Sequence, residues 1–357
     1  MSRIKVLIVD DSAVTRKLLT DALSRSRDIE VVGTAMDPYI AVNKIKSLAP
    51  DVMTLDIEMP RMDGITFLSK LMLSHPMPVI MVSSLTDAGA NATMRALHAG
   101  AVDFILKPQV DDASGWEPFA DELIEKVMGA FGSKITRKTA PAVLDRDDPL
   151  VKYSADVILP KKAAQTSRLR TETIIAIGAS TGGTEVIAEI LGALPEDMPG
   201  ILVVQHMPEK FTKAFSDRVN GMSRLYVKEA EQGDRLYRGT ALIAPGNFHM
   251  LLKYDSNGYW VEINDGPPVN RHRPSVDVLF RSVSQTAGKN AVGVILTGMG
   301  NDGASGLLEM KDEGAATIAQ DEASSIVFGM PKEAIKLGAA DEVKNIQGII
   351  DYLKRVE

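Results

Sequence analysis

A serine set among glycines, Gly178-Ala179-Ser180-Thr181-Gly182, follows the apolar residues Ile174, Ile175, Ala176 and Ile177 and precedes a run, 185–194, with helical periodicity. That spacing is the one in which a tight strand-to-helix bend pushes a hydroxyl out at the carboxyl edge of a sheet. The glycines allow close backbone approach, and amides opening the next helix could bind an oxyanion. Ser180 is therefore the candidate nucleophile. The same turn could instead hold a phosphate, but it lacks a P-loop lysine and does not meet the G-x-G-x-x-G spacing.

A serine nucleophile needs a base within reach and a carboxylate to hold that base in the right tautomer. Three histidines lie in this half. His206 ends the strand I-L-V-V-Q-H, His249 opens a strand within P-G-N-F-H-M, and His272 lies in the loop R-H-R-P. Only His206 follows the strand next after the serine, and parallel topology puts it on the same edge. A third strand, A-V-G-V-I-L, ends in T-G-M-G-N-D-G, which brings Asp302 to that edge in a glycine-lined loop. Read alone, His206 could be a satisfied strand-end histidine and Asp302 the cap of a following helix. Common α/β-hydrolases with this bend run Ser, Asp/Glu, His along the chain. The order Ser, His, Asp would be an independent solution.

The amino-terminal half offers different chemistry. Asp10 and Asp11 close one apolar run, Asp56 another, Ser83 and Ser84 a third, and Lys107 with Pro108 a fourth. Carboxylates gathered at one sheet edge are costly without a cation, and oxygen-only ligands favour Mg²⁺. A lysine opposite them, with a small hydroxyl nearby, is what an acyl phosphate requires for charge balance. Any one of these aspartates could equally be a helix cap or a turn residue.

The elements that would position both sets are α/β throughout. Residues 4–9, 30–34, 52–55, 79–82 and 102–105 read as strands, each followed by a helical pattern, which implies a parallel sheet with its site at the carboxyl ends. Beyond residue 171 the strands expected are 173–177, 201–204, 225–227, 240–244, 250–253, 260–263, 292–296 and 316–319. Helical runs at 184–194, 209–220, 275–286 and 303–313 supply crossovers, and G-N at 246–247 with N-G at 257–258 marks hairpins. The expected architecture is two domains: a (βα)5 fold over 1–131 and a doubly wound, mostly parallel α/β domain with an antiparallel hairpin portion over 172–357. Between them, 132–171 has prolines at 141, 149 and 160, no periodicity, and nine Lys/Arg against four Asp/Glu. It reads as an irregular basic linker.

Composition narrows the class. At 357 residues the chain is long enough for two cores, and 45% apolar with 24% charged content is that of a globular protein. A net charge of −7 argues against nucleic acid as partner. Cysteine is absent, which excludes disulfides and thiolate chemistry. With no signal-peptide leader and no apolar run of about 18 residues, the expectation is a cytoplasmic protein without membrane insertion.

The first half closely resembles the receiver domain of two-component response regulators. The resemblance rests on Asp10–Asp11, L-D-I-E-M-P-R-M-D-G around Asp56, S-S at 83–84 and L-K-P at 106–108. It implies that Asp56 accepts phosphate from a histidine kinase and that Asp11 and Asp56 bind Mg²⁺, with Asp10 in the outer shell. Lys107 would touch the phosphoryl group, and Ser83 and Phe104 would occupy the switch positions. The second half resembles the catalytic domain of the chemotaxis protein-glutamate methylesterases. The matching residues are G-A-S-T-G-G at 178–183, Q-H-M at 205–207, A-P-G-N-F-H-M at 244–250, R-P-S-V-D at 273–277 and T-G-M-G-N-D-G at 297–303. This implies hydrolysis of γ-glutamyl methyl esters on methyl-accepting chemoreceptors, and deamidation of receptor glutamines, without a cofactor for the esterase step. By position Ser180 is the nucleophile, His206 the base and Asp302 its carboxylate, with the backbone of Thr181 and Met299 serving the oxyanion. The rival output, a DNA-binding module, would need a helix-turn-helix and a basic face, and the α/β pattern offers neither.

Overall fold

The protein is seen here as a computed structural model that describes residues 3–84, 86–107, 116–133, 154–161 and 172–356. It divides into two compact units, Met1–Val143 and Leu144–Glu357. Pro108 and the stretches 134–153 and 162–171 of the expected linker lie outside the described residues.

The first unit runs β1 (Ile4–Val9), α1 (Ala13–Leu23), β2 (Ile29–Ala35), α2 (Pro38–Leu48), β3 (Val52–Asp56) and α3 (Gly64–Ser74). It continues with β4 (Val79–Ser83), α4 (Asp87–His98), β5 (Asp103–Leu106) and α5 (Trp116–Phe131). The strands form one parallel sheet in the order β2-β1-β3-β4-β5, a doubly wound arrangement whose ligands belong at the carboxyl ends. β3 and β4 are buried at every residue, which explains their unbroken apolar runs. Helix starts are capped by Ser12, Asp37, Asp63 and Thr86, each accepting from a first-turn amide. Asp10, Asp11 and Asp56 cap none of these helices.

The second unit comprises β6 (Ile174–Ala179), α6 (Gly183–Ala193), β7 (Gly200–Gln205), α7 (Phe211–Asn220), β8 (Tyr226–Glu229), β9 (Thr240–Ile243), β10 (His249–Asp255) and β11 (Gly258–Asn264). There follow α8 (Val276–Ala287), β12 (Ala291–Ile295), α9 (Ala304–Asp312), β13 (Ala316–Gln320), α10 (Met330–Lys336), β14 (Glu342–Lys344) and α11 (Ile346–Leu353). Seven strands pair in parallel in the order β14-β13-β12-β6-β7-β9-β8, while β10 and β11 form a separate antiparallel hairpin. α8 packs its apolar side on β6 and β10, and Val276, Leu279, Phe280 and Val283 lie in the main core with Ile174, Leu202 and Leu252. Burying such side chains stabilises by roughly 1.5–3 kcal/mol each.

Two further features complete this unit. Residues 154–161 carry a short 3-10 turn, Ala155–Val157, and Ala155 is buried against Leu251, Val269 and Val278. Each unit also holds one tryptophan. Trp116 opens α5 and contacts Phe119, whereas Trp260 lies in β11, its strand bridged to Arg235 and its Nε1 buried without a hydrogen bond.

Candidate functional site

Ser180, His206 and the 297–303 loop follow three adjacent strands, β6, β7 and β12, so all reach the carboxyl edge of one sheet. Register brings the first two side by side. Ala179 pairs with Gln205, and His206 N–H donates to Ala179 O at 3.1 Å. On the other side Ile295 pairs with Gly178, and Ser180 N–H donates to Thr297 O at 3.0 Å.

The bend after β6 depends on glycine twice over. Gly182 sits at φ 78°, in the left-handed region, and a Cβ on Gly183 would meet Gln205 Oε1 at 2.3 Å. Gln205 is buried, and its Nε2 donates to Ser180 O at 2.9 Å and to His206 O at 3.3 Å. One amide thereby clamps the two residues' backbones at a fixed separation.

His206 Nε2 lies 2.8 Å from Asp302 Oδ2. Asp302 is buried and receives four more hydrogen bonds: Asn270 Nδ2 and Ser275 Oγ at 2.8 Å, Val276 N–H at 2.6 Å and Asp277 N–H at 3.3 Å. Burial alone would raise this carboxyl, but the bond to His206 and the nearby imidazoles and amide outweigh it and hold Asp302 below the usual carboxylate range. The neighbouring Asp277 goes the other way. Burial, and then the charge of Asp302, push it up to about 7. Of the two carboxyls, Asp302 carries the charge. As an ionised acceptor it fixes the proton of His206 on Nε2, which leaves the lone pair on Nδ1, an atom buried with no hydrogen-bond partner. The ring thus uses its nitrogens in the reverse of the usual triad assignment, where Nδ1 faces the carboxylate. Asp302 does not cap α9; that position is Gly303, at φ 90°.

The other expected positions divide. Met299 is half-buried and its N–H makes no hydrogen bond among the described residues, whereas Thr181 is buried and its carbonyl accepts from Thr297 Oγ1 at 3.0 Å. His249 is buried in a structural role, with Nε2 at 3.0 Å from Pro267 O and Nδ1 accepting from Ser275 N–H. The sequence reading passed over His272, whose ring stacks on His206 at 3.7 Å with planes 13° apart. It also passed over Gln205, Asn270, Ser275 and Asp277. Ser275 and Asp277 stand in R-P-S-V-D, but no spacing rule says that this segment meets the 297–303 loop.

At the carboxyl edge of the first sheet, Asp10, Asp11 and Asp56 place one oxygen each within 4.8 Å of one another. Asp10 and Asp56 are buried and Asp11 is exposed. Burial pushes Asp56 up to about 6, against the pull of Lys107, whose Nζ lies 2.7 Å from Asp56 Oδ2 and 3.4 Å from Asp10 Oδ2. Burial opposes the charge on Lys107 too, but its contacts with Asp56 and Asp10 prevail and raise it. Asp10 Oδ2 is buried and accepts no hydrogen bond, and this all-oxygen group suits a hard cation. Ser83 Oγ accepts from Thr93 Oγ1 at 2.8 Å in α4. Phe104 is buried beneath Lys126, whose ammonium stands 5.8 Å from the ring centre.

A family described as CheB methylesterase matches residues 175–353, and the response regulator receiver domain matches residues 6–113. A protein-glutamate methylesterase/protein-glutamine glutaminase of Geobacter metallireducens is 55% identical over 95% of this chain and 92% of its own length. One from Xanthomonas oryzae pv. oryzae is 54% identical over 94% of this chain and 96% of its own. Among solved structures, the Thermotoga maritima CheB methylesterase catalytic domain matches with a TM-score of 0.52 and 38% identity, covering 53% of this chain and all of that one.

Proposed function

This chain belongs to the CheB methylesterases that carry an amino-terminal receiver domain, and on that premise we propose a phosphorylation-activated serine esterase. It is a protein-glutamate methylesterase/protein-glutamine glutaminase, and its substrates are glutamate γ-methyl esters and particular glutamines on methyl-accepting chemoreceptors. The observation that carries this reading is the 2.8 Å bond between His206 and Asp302 beside the strand end that presents Ser180.

In this mechanism Ser180 Oγ attacks the ester carbonyl while His206 Nδ1 takes its proton, and Asp302 stabilises the imidazolium that forms. The oxyanion is met by the Met299 N–H and the backbone amides that follow Ser180, from Thr181 on. Collapse expels methanol, protonated by His206. Water, activated by the same imidazole, then frees the receptor carboxylate, so one ester and one water yield one acid and one methanol. With a glutamine the leaving group is ammonia.

Asp10, Asp11 and Asp56 would hold Mg²⁺ in the receiver, where that ion would neutralise the incoming phosphoryl oxygens. Asp56 is the acceptor, a histidine kinase the donor, and Lys107 balances the charge left on the aspartyl phosphate. Ser83 and Phe104 relay its presence. Among the described residues no helix is long and apolar enough to cross a membrane, and we place the reaction in the cytoplasm, on the receptors' cytoplasmic parts.

The test is methanol release from methylated receptor membranes, with and without a small-molecule phosphodonor. Ser180→Ala and His206→Ala should each lower the rate by about 10⁶-fold, and Asp302→Ala by about 10⁴-fold, since the carboxylate orients but does not react. A folded Ser180→Ala protein that still releases methanol at the normal rate would remove the serine from the mechanism.

A further inference from the structure

Residues 154–161 fall within the segment that composition marks as a tether, yet they are fastened to the second unit. Arg281, buried in α8, donates from Nη1 to Asp156 Oδ1 at 2.7 Å and to Leu159 O at 3.0 Å. The rest of that guanidinium is fixed by Glu309, with bonds of 2.8 and 2.6 Å to its carboxylate. Gln285 Nε2 adds a bond to Pro160 O at 2.8 Å. A buried guanidinium with paired carboxylates is a rigid anchor, so the segment is held at both ends.

What it covers is the underside of loop 265–273. Ala155 shares a buried cluster with Val269, Leu251 and Val278, and Ile158 lies so close to Gly266 that a Cβ there would stand 2.3 Å from Ile158 Cδ1. The upper side of the same loop faces the catalytic pair. Val269 and His272 exchange backbone bonds of 3.0 and 2.8 Å. Between them Asn270 and Arg271 sit at φ 51° and 70°, a region that asparagine takes readily and arginine only when its surroundings enforce it. Asn270 bonds Asp302 and Asp277, and His272 stacks on His206.

We propose that residues 154–161 are a strap that positions His206 and Asp302 through loop 265–273, with Ala155 and Ile158 as the positioning residues. The strap touches no reacting atom. It presses the loop from below, and Asn270 and His272 pass that constraint to the carboxylate and the imidazole. The esterase body accordingly includes residues 154–161. The inference rests on the serine-esterase reading, though on no particular substrate.

The experiment follows modification of Ser180 by a fluorophosphonate probe, in the full-length chain with Mg²⁺ and acetyl phosphate, across pH 5.5–9. Misplacement by about 1 Å far from the chemistry can cost roughly 10²-fold, so Gly266→Ala, whose methyl must displace the end of the Ile158 side chain and so loosen the strap's contact with the loop, should slow labelling by about tenfold. The acid side of the pH–rate profile should move as well, since the setting of the imidazole changes. Adding Ile158→Ala removes the strap's share of the clash, leaving only the 2.9 Å approach to Asn264 Oδ1, and should recover most of the rate and the original profile. Wild-type labelling and profile in Gly266→Ala would overturn the proposal, as would a loss that Ile158→Ala leaves unrelieved. Should Gly266→Ala not fold, Asp156→Ala, which removes the ion pair to Arg281 together with the local bond from Ser154 Oγ, carries the test: a smaller fall with a moved profile supports the strap, and wild-type behaviour overturns it. A wild-type protein that takes no label at Ser180 would instead sink the esterase reading itself.

Discussion

Asp277 and Asp302 are two carboxyls in one buried network, and their different fates follow from who donates to them. Asp302 receives five hydrogen bonds and stays charged; Asp277 receives Gly306 N–H at 2.6 Å and Asn270 Nδ2 at 2.7 Å but faces that charge, and rises to about 7. The folded protein therefore keeps a proton on Asp277 that the unfolded chain, near the ordinary 3.8, gives up. Between those two values the native state binds more protons than the unfolded state, so this group's contribution to stability falls as pH rises and levels off above about 7. Asp277→Asn lacks that slope. Relative to wild type, its melting temperature for the second unit should climb from pH 5 to 7 and then stay constant, whatever fixed offset the substitution brings. Calorimetry at a series of pH values reads this directly, and a difference that stays flat across the range would mean that Asp277 is ionised throughout.

The turn from β6 into α6 shows how tightly one element is tied to another. A methyl on Gly183 would stand 2.3 Å from Gln205 Oε1 and 2.6 Å from Ala179 Cβ, and the amide of Gln205 cannot retreat without dropping the carbonyls of Ser180 and His206. Gly183→Ala should cost about 1–3 kcal/mol, the usual range for overpacking, and should lower esterase activity more than that loss of stability accounts for. Urea midpoints measured beside methanol release would separate the two effects, and full activity in a destabilised variant would show that the clamp has slack. Parallel strands such as β3, β6 and β12 are legible in the sequence because burial on both faces writes them as apolar runs, and the reactive side chains stand out because they follow directly. β14 is an edge strand of only three residues, partly exposed, and leaves no such signature. Asn270 was equally hidden, and His272 and Asp277, though quoted, were given no role. Their role arises where loop 265–273 meets loop 297–303, an encounter that no local period encodes, and the strap at 154–161 was masked by the polar, proline-bearing sequence around it.

At the scale of the whole chain, a receiver and a methylesterase domain share one polypeptide, and under the proposed function phosphate at Asp56 alters chemistry at Ser180. Under the proposed activation by phosphorylation the unphosphorylated receiver would restrain the esterase, and a shift of about 1–3 kcal/mol would change activity by roughly 5- to 150-fold. A fragment beginning at Ser154, which keeps the strap, should release methanol faster than the unphosphorylated whole and ignore acetyl phosphate; Asp56→Asn in the intact chain should stay slow with or without it. A folded fragment slower than the unphosphorylated whole would point to a receiver that contributes to the active site or to receptor contact. The sequence holds two tryptophans, and they are apportioned one to each compact unit. Trp116, beside Phe119, and Trp260, on the hairpin, are therefore separate intrinsic fluorophores for receiver and esterase. Excited where tyrosine does not absorb, Trp116→Phe and Trp260→Phe chains each show tryptophan emission from one unit alone, so binding of phosphate or Mg²⁺, and loss of structure in denaturant, can be assigned to one half of the intact protein by its light, with no dye attached.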